Sequence, residues 1–196
     1  MSIEVGSLAV SAATQSVTAS SEAFASMLVK NMRTNQWLHG ESRIETAAGR
    51  REFPDAFPGI DISGMTWGVH RSGSNAASRQ HRAQADSLVI TKLPDASTAA
   101  FASLVNSGDP VNISIGMFKE RGTAVPAAER TFAWLSVAVA DAVIVKQEIV
   151  LPPGARLPVE VLEISYQRCS VSHKRQLEDG NPGPATITEL RFNTGS

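Results

Sequence analysis

Val159 to Gln176 reads "VEVLEISYQRCSVSHKRQ", and its hydrophobic phase decides the fold. Leu162, Ile164 and Tyr166 are apolar at even positions, whereas Cys169, Val171 and His173 continue the series at odd positions. Successive side chains of a strand face opposite ways, so a slip of one residue would turn the buried set to the other side of the sheet. A bulge near Gln167-Arg168 would absorb the extra residue, as bulges do where a sheet bends. The expectation is a closed or sharply curved sheet.

The period of two recurs on either side. Val111, Ile113, Ile115 and Met117 alternate with Asn112, Ser114 and Gly116, the cleanest strand in the chain. From Ile60 to Val69, Met65, Trp67 and Val69 fall on one side while Ile62 and Thr66 take the other, and Leu88 to Thr91 forms a further short run. Thr131 to Val150 exceeds one average strand, and Ala140-Asp141 offers a break, so it is either a pair or one long bent strand. Pro152-Pro153-Gly154 stops it, since proline removes ladder donors. One segment predicts a helix: Asp95 or Ser97 can cap it, Phe101, Leu104 and Val105 share an apolar face, and Gly108 ends it before Asp109-Pro110. Many strands with one helix predict a mainly β fold, two antiparallel sheets forming a small β-barrel with one short α-helix on its flank.

At 196 residues the chain holds one domain by default. Apolar residues make up 42% and charged residues 19%, and no apolar run reaches the length of a membrane-spanning helix, so membrane insertion is not expected. A net charge of -1 provides no field to draw the chain to nucleic acid. The single cysteine, Cys169, cannot close an intramolecular disulfide and reads as a small core hydrophobe. The opening "MSIEVGSLAV" lacks the basic start and continuous apolar core of a secretory signal, so export would need a separate machine. Residues 1–22, rich in Ser, Thr and Ala, read as a flexible N-terminal extension, and 23–196 as the folded domain.

Chemistry concentrates in "WGVHRSGSNAASRQHRA", Trp67 to Ala83. Ser72 or Ser74 could join His70 and Asp86 or Asp141 in an acyl-transfer triad. The plainer reading is a strand end running into a turn, because no strand-Gly-x-Ser-x-Gly-helix pattern is present. "SGS" has neither the following helix nor the lysine of a phosphate cradle. The far end of the loop, with Arg79, His81 and Arg82, either stays solvated or reaches an acidic or carbonyl-rich neighbour. His39, His70, His81 and His173 have no metal-ligand spacing, and His173 reads as a packed or hydrogen-bonded side chain. Glu160, Glu163 and Glu178-Asp179 read as solvated edges and turns, and Trp67 and Trp134 as core or interface anchors. No catalytic residue, metal or cofactor is expected.

Several of these features stand in the order found in the haemolysin-coregulated protein (Hcp) family, which the chain resembles. Gly40, Glu41 and Ser42 match the end of the family's opening strand. Thr66, Trp67, Gly68, Arg71, Ser72, Gly73 and Ser74 match its "W-S-W-G-x-S-Q-S-G-S"-like stretch. Ser87, Leu88, Ile90, Thr91 and Lys92 resemble the next strand, and Asp95 to Thr98 the opening of the helix. The late strand is resembled by Leu162, Ile164, Tyr166, Arg168, Cys169, Val171, His173 and Gln176, and the last turn and strand by Asp179-Gly180 to Leu190. The likeness runs from about Phe24 to Phe192, with departures at "GRREFPDAFPGID", at "NAASRQHRAQAD" and at Val171, where tryptophan is common.

The resemblance implies the inner tube of a bacterial type VI secretion system. Copies would form a hexameric ring, and rings would stack, carry effectors in the lumen, and meet sheath and spike or baseplate proteins, with no catalysis. The protein would assemble in the cytoplasm and then be exported. Arg71 to Asp86 would be the extended loop that reaches the adjacent subunit or ring, with Arg71, Ser72, Gly73, Ser74, Arg79, His81 and Arg82 as interface residues. An Hcp-like effector adaptor that forms rings but not tubes, and a small serine hydrolase, are the alternatives.

Overall fold

The computed structural model describes residues 25–42, 52–71, 83–120 and 131–192. The expected N-terminal extension, 1–22, lies outside them. In chain order the strands are β1 (Ala25–Asn31), β2 (Trp37–Leu38), β3 (Ile60–Ile62), β4 (Gly64–Thr66), β5 (Val69–Arg71), β6 (Ala83–Ala85) and β7 (Leu88–Lys92). Helix α1 (Thr98–Ser107) follows, then β8 (Val111–Glu120), β9 (Thr131–Val150), β10 (Val159–Ser165), β11 (Arg168–Gln176) and β12 (Pro182–Arg191).

The long run becomes a single bent strand. The first part of β9 pairs with β8 and β11, and its last part pairs with β10, so one strand belongs to both sheets. The corner falls at Asp141, whose φ of 51° is left-handed, and Asp141 Oδ2 accepts a hydrogen bond from Arg168 Nε at 2.6 Å. The phase slip in the opening stretch has a different origin from the bulge expected at Gln167-Arg168. The ladder is interrupted at Tyr166-Gln167, where β10 ends and β11 begins. The bulge lies on the partner strand: Glu163 faces Lys146 and Ile164 faces Ile144, leaving Val145 as the extra residue. Two apolar phases were therefore needed because two sheets are being addressed.

The main sheet follows the order β2-β1-β8-β9-β10-β7-β4, with β3 on β1 and β11–β12 on β9. Only Ser63 separates β3, paired with β1, from β4, paired with β7. The wall returns on itself through that bend, where Ser63 N–H donates to Thr91 O at 2.8 Å, and no uninterrupted barrel ladder closes among the described residues. The result is two antiparallel sheets around one core. Met27, Ile115, Val137 and Cys169 of one sheet meet Leu88, Ile90, Leu162 and Ile164 of the other, with Phe101 and Leu104 of α1 alongside. Each large apolar side chain buried there contributes about 1.5–3 kcal/mol, and Leu162→Ala would cost about 2–5 kcal/mol.

Helix α1 has no charged residue, and its sequence-predicted apolar side is buried through Phe101 and Leu104. It ends at Gly108, which has a left-handed φ of 65° and donates its N–H to Leu104 O at 2.9 Å. Its start is held from below. The Asp95 carboxylate accepts the N–H of Ser97 at 2.9 Å, and Asp95 N–H donates to Thr98 Oγ1 at 3.0 Å. Lys92 Nζ donates to both Asp95 Oδ1 and Glu160 Oε2 at 2.8 Å. Thr98 Oγ1 donates to Glu160 Oε2, and Gln147 Nε2 to Glu160 Oε1, each at 2.7 Å.

Glu160 is thus fully buried and not the solvated edge expected from sequence. The register places it opposite Lys92 beneath α1. A buried carboxylate is tolerable there because an ammonium, a hydroxyl and an amide satisfy both its oxygens. Gly40, from the Gly-Glu-Ser match, passes close under the same region. A Cβ on it would lie 2.6 Å from Gly59 O and 2.8 Å from Asp95 Oδ2.

Candidate assembly interface

Two features stand out among the described residues: a short ribbon apart from the main sheet and a strand edge. In the ribbon, β5 and β6 pair apart from the main sheet, with Val69 opposite Ala85, His70 opposite Gln84 and Arg71 opposite Ala83. Met65, Trp67, Val69 and Ala85 pack its base against the core. Asp86 N–H donates to Gly68 O at 3.0 Å, and His70 Nδ1 lies 3.1 Å from Asp86 Oδ1. A Cβ on Gly68 would overlap the Asp86 carboxylate, so glycine there lets the acid fold across the stem. Ser72, Gly73, Ser74, Arg79, His81 and Arg82, the expected interface residues, lie outside the described residues. Arg71, the last residue of β5, marks where the described stem stops.

Of the triad members considered from sequence, His70 and Asp86 do come together, and Asp141 does not join them. Asp141 pairs with Arg168, whose hydrogen bond holds its carboxyl below the ordinary carboxylate range. The His70 and Asp86 side chains are 50% and 57% exposed, whereas a triad carboxylate works from a buried position. Their geometry suits a pin across the stem.

Behind the ribbon, Trp67 adjoins Tyr166 and Cys169, and Tyr166 stacks edge-on against Phe192 with ring centroids 5.8 Å apart. Neither Trp67 Nε1 nor the Tyr166 hydroxyl has a hydrogen-bond partner among the described residues. Burial pushes the Tyr166 hydroxyl up to about 12, and burial also raises the Cys169 thiol. Cys169 is a core residue, as expected from sequence.

The free edge is β12. Among the described residues it pairs only with β11, residues 184–189 are exposed without alternation, and Ile187 is 61% exposed. Its one sequence signal is the pair Pro182 and Pro184 at its start, since proline lacks a ladder donor and belongs at strand ends or edges, while the exposure of Ile187 follows from the place of the strand in the sheet order. Nearby, the register shift between Met117 and Phe118 makes Trp134 an extra residue on β9. Lys119 Nζ sits 4.4 Å from the Trp134 ring centroid and His173 meets that ring edge-on at 5.9 Å. His173 is therefore exposed beside an aromatic and not packed inside. Among the described residues, no three His, Cys, Asp or Glu side chains converge as metal ligands, and no helix is long and apolar enough to cross a membrane.

Comparison with known proteins gives this architecture a family. Residues 40–173 match the family described as "Type VI secretion system effector, Hcp". Among solved structures, Hcp1 of E. coli EAEC 042, in a doubly substituted form, shares 13% identity and a TM-score of 0.63, covering 87% of this chain and 99% of that one. Hcp1 of Salmonella typhimurium gives 14% and 0.59 over 86% and 95%, and secreted protein Hcp3 of Pseudomonas aeruginosa gives 15% and 0.57 over 86% and 99%. No curated protein matches the sequence. At such identities the structures speak for the fold, and the family match, which covers more than half of the chain, speaks for kinship. The chain belongs to the Hcp family of type VI secretion system proteins.

Proposed function

We propose that six copies of this chain close head to tail into a ring, that rings stack into the inner tube of a type VI secretion apparatus, and that exported proteins travel in its lumen. The observation that carries this reading is β12, a ten-residue strand that among the described residues is paired on one side, with residues 184–189 exposed on both faces. Such an edge leaves backbone donors and acceptors free and Ile187 in water, a hazard that a second copy removes. β2 and β3 form the opposite edge of the same sheet, on β1. Every copy therefore offers two different edges, and contact between unlike surfaces makes a ring when its rotation closes.

On this reading residues 1–22 are an extension and 23–196 the assembling domain. The segment from Arg71 to Asp86, carrying Ser72, Gly73, Ser74, Arg79, His81 and Arg82, reaches the next subunit or ring from its pinned stem. Assembly, without chemical turnover, is the activity. Sheath and spike or baseplate components are the further partners, and assembly in the bacterial cytoplasm precedes export. Size-exclusion chromatography with light scattering tests the reading: the expected species has the mass of six chains, and Ile187→Asp shifts it to smaller species without unfolding. A monomer at every concentration refutes it.

A further inference from the structure

Across the outward face of the main sheet runs an open trough. The ladders align Arg168 of β11 with Arg191 of β12 and with Ala140 of β9, giving one row of side chains on a shared face. The neighbouring row is Ser114 of β8, Ala138 of β9, Ser170 of β11 and Glu189 of β12. Between the rows, the backbone at Ile113, Val139, Cys169 and Leu190, whose side chains belong to the core side, forms the floor. The trough exists because alanine and serine leave the space that larger side chains would fill. It crosses four strands, a span of about 14 Å, which takes about four residues of extended chain.

Charge orients what could lie there. Like charges directly opposite across a ladder are unfavourable unless something shares them. Arg168, which lines the trough, meets Asp141 through Nε, no hydrogen bond engages its terminal nitrogens among the described residues, and no ion pair engages Arg191 among them. Two adjacent guanidinium forks with serine hydroxyls beside them suit a carboxylate. Glu189, one row away, disfavours a second acid at that end of the trough.

We propose that this trough holds an extended segment of a carried protein, with a carboxylate of that segment lodged against Arg168 and Arg191. It rests on the reading of the chain as a carrier and adds to it the chemistry of what is carried. The probe is a fluorescein-labelled octapeptide of alternating serine and glutamate, followed by anisotropy at low salt, with alternating serine and glutamine as the control. The acidic peptide binds about tenfold more tightly than the control, and Arg168→Gln or Arg191→Gln each removes most of that preference.

Glu189→Gln strengthens binding, and Ser170→Tyr, which fills the trough from a half-buried strand position, abolishes it. Equal binding of the two peptides, or binding unchanged by Arg191→Gln and Ser170→Tyr, overturns the proposal. Light scattering on the same samples separates the two ideas. Rings that bind no peptide overturn the trough alone, whereas peptide binding by chains that never associate overturns the tube reading alone.

Discussion

Lys92→Met is the most informative single change in the core. It replaces a fully buried ammonium by an apolar side chain of similar length, and two charge-assisted hydrogen bonds vanish, to Asp95 and to Glu160. Hydrogen bonds to charged groups contribute about 1.5–3 kcal/mol each, and removing one partner of a buried pair costs about 3–5 kcal/mol in all. The lower part of that range applies here. Glu160 keeps donors on both oxygens from Thr98 and Gln147, and Asp95 keeps the Ser97 N–H. The expected loss is about 3 kcal/mol in urea denaturation followed by tryptophan fluorescence at one fixed protein concentration, since association also contributes to stability. Adding Glu160→Gln to Lys92→Met should recover at least about 1 kcal/mol, because the stranded charge is gone while the amide oxygen still accepts from Gln147 and the amide N–H can donate to Thr98 Oγ1. A Lys92→Met cost below about 1 kcal/mol, or no recovery in the double variant, would refute the view that this pair fastens α1 to the sheet.

Tyr166 is the sole tyrosine, so ultraviolet titration of phenolate reads it alone. Its midpoint should be about 12 in the folded chain and near 10.0 in urea. Between those values the folded state binds more protons than the unfolded state, so stability should fall as pH rises from 10.0 towards 12; a folded midpoint near 10.0 would mean that the hydroxyl is open to water. Gly40→Ala should cost about 1–3 kcal/mol, because the new Cβ meets backbone oxygen that cannot swing aside; calorimetry showing an unchanged melting transition would contradict the close approach. Replacing Asn75 to Arg82 by Asn-Gly should change stability by less than about 1 kcal/mol while weakening association, read by light scattering. Unfolding of that variant would show that the loop contributes to the core.

Strand content was legible in the sequence because alternation reports directly which side chains face inward. β8 and the helix from Thr98 to Ser107 stand where their patterns placed them. Alternation does not report which strand lies opposite. The slip after Tyr166 therefore looked like a local bulge, when it marks the passage from one sheet to another and the bulge belongs to Val145 across the ladder. Likewise, Ile60 to Val69 read as one run, and Ser63 divides it between two sheets.

Glu160 was misplaced for a related reason: an acid flanking an apolar strand looks solvated until its partner, Lys92, is known to face it from 68 positions earlier in the chain. Lys92 gave no warning of its own, because the four-carbon stem of a lysine at a strand end ordinarily carries the ammonium to water. The free edge at β12 had only Pro182 and Pro184 to announce it, since proline lacks a ladder donor and is confined to strand ends, bulges and edge strands; the rest of the strand carries no such mark.

Native mass spectrometry of the purified 196-residue chain tests the central claim most directly. The account predicts a dominant ion series at six times the chain mass, lost when Ile187 is replaced by aspartate while the circular dichroism of the β fold is retained. A chain that stays single across the accessible concentration range, with β12 protected from hydrogen exchange in that state, would contradict it.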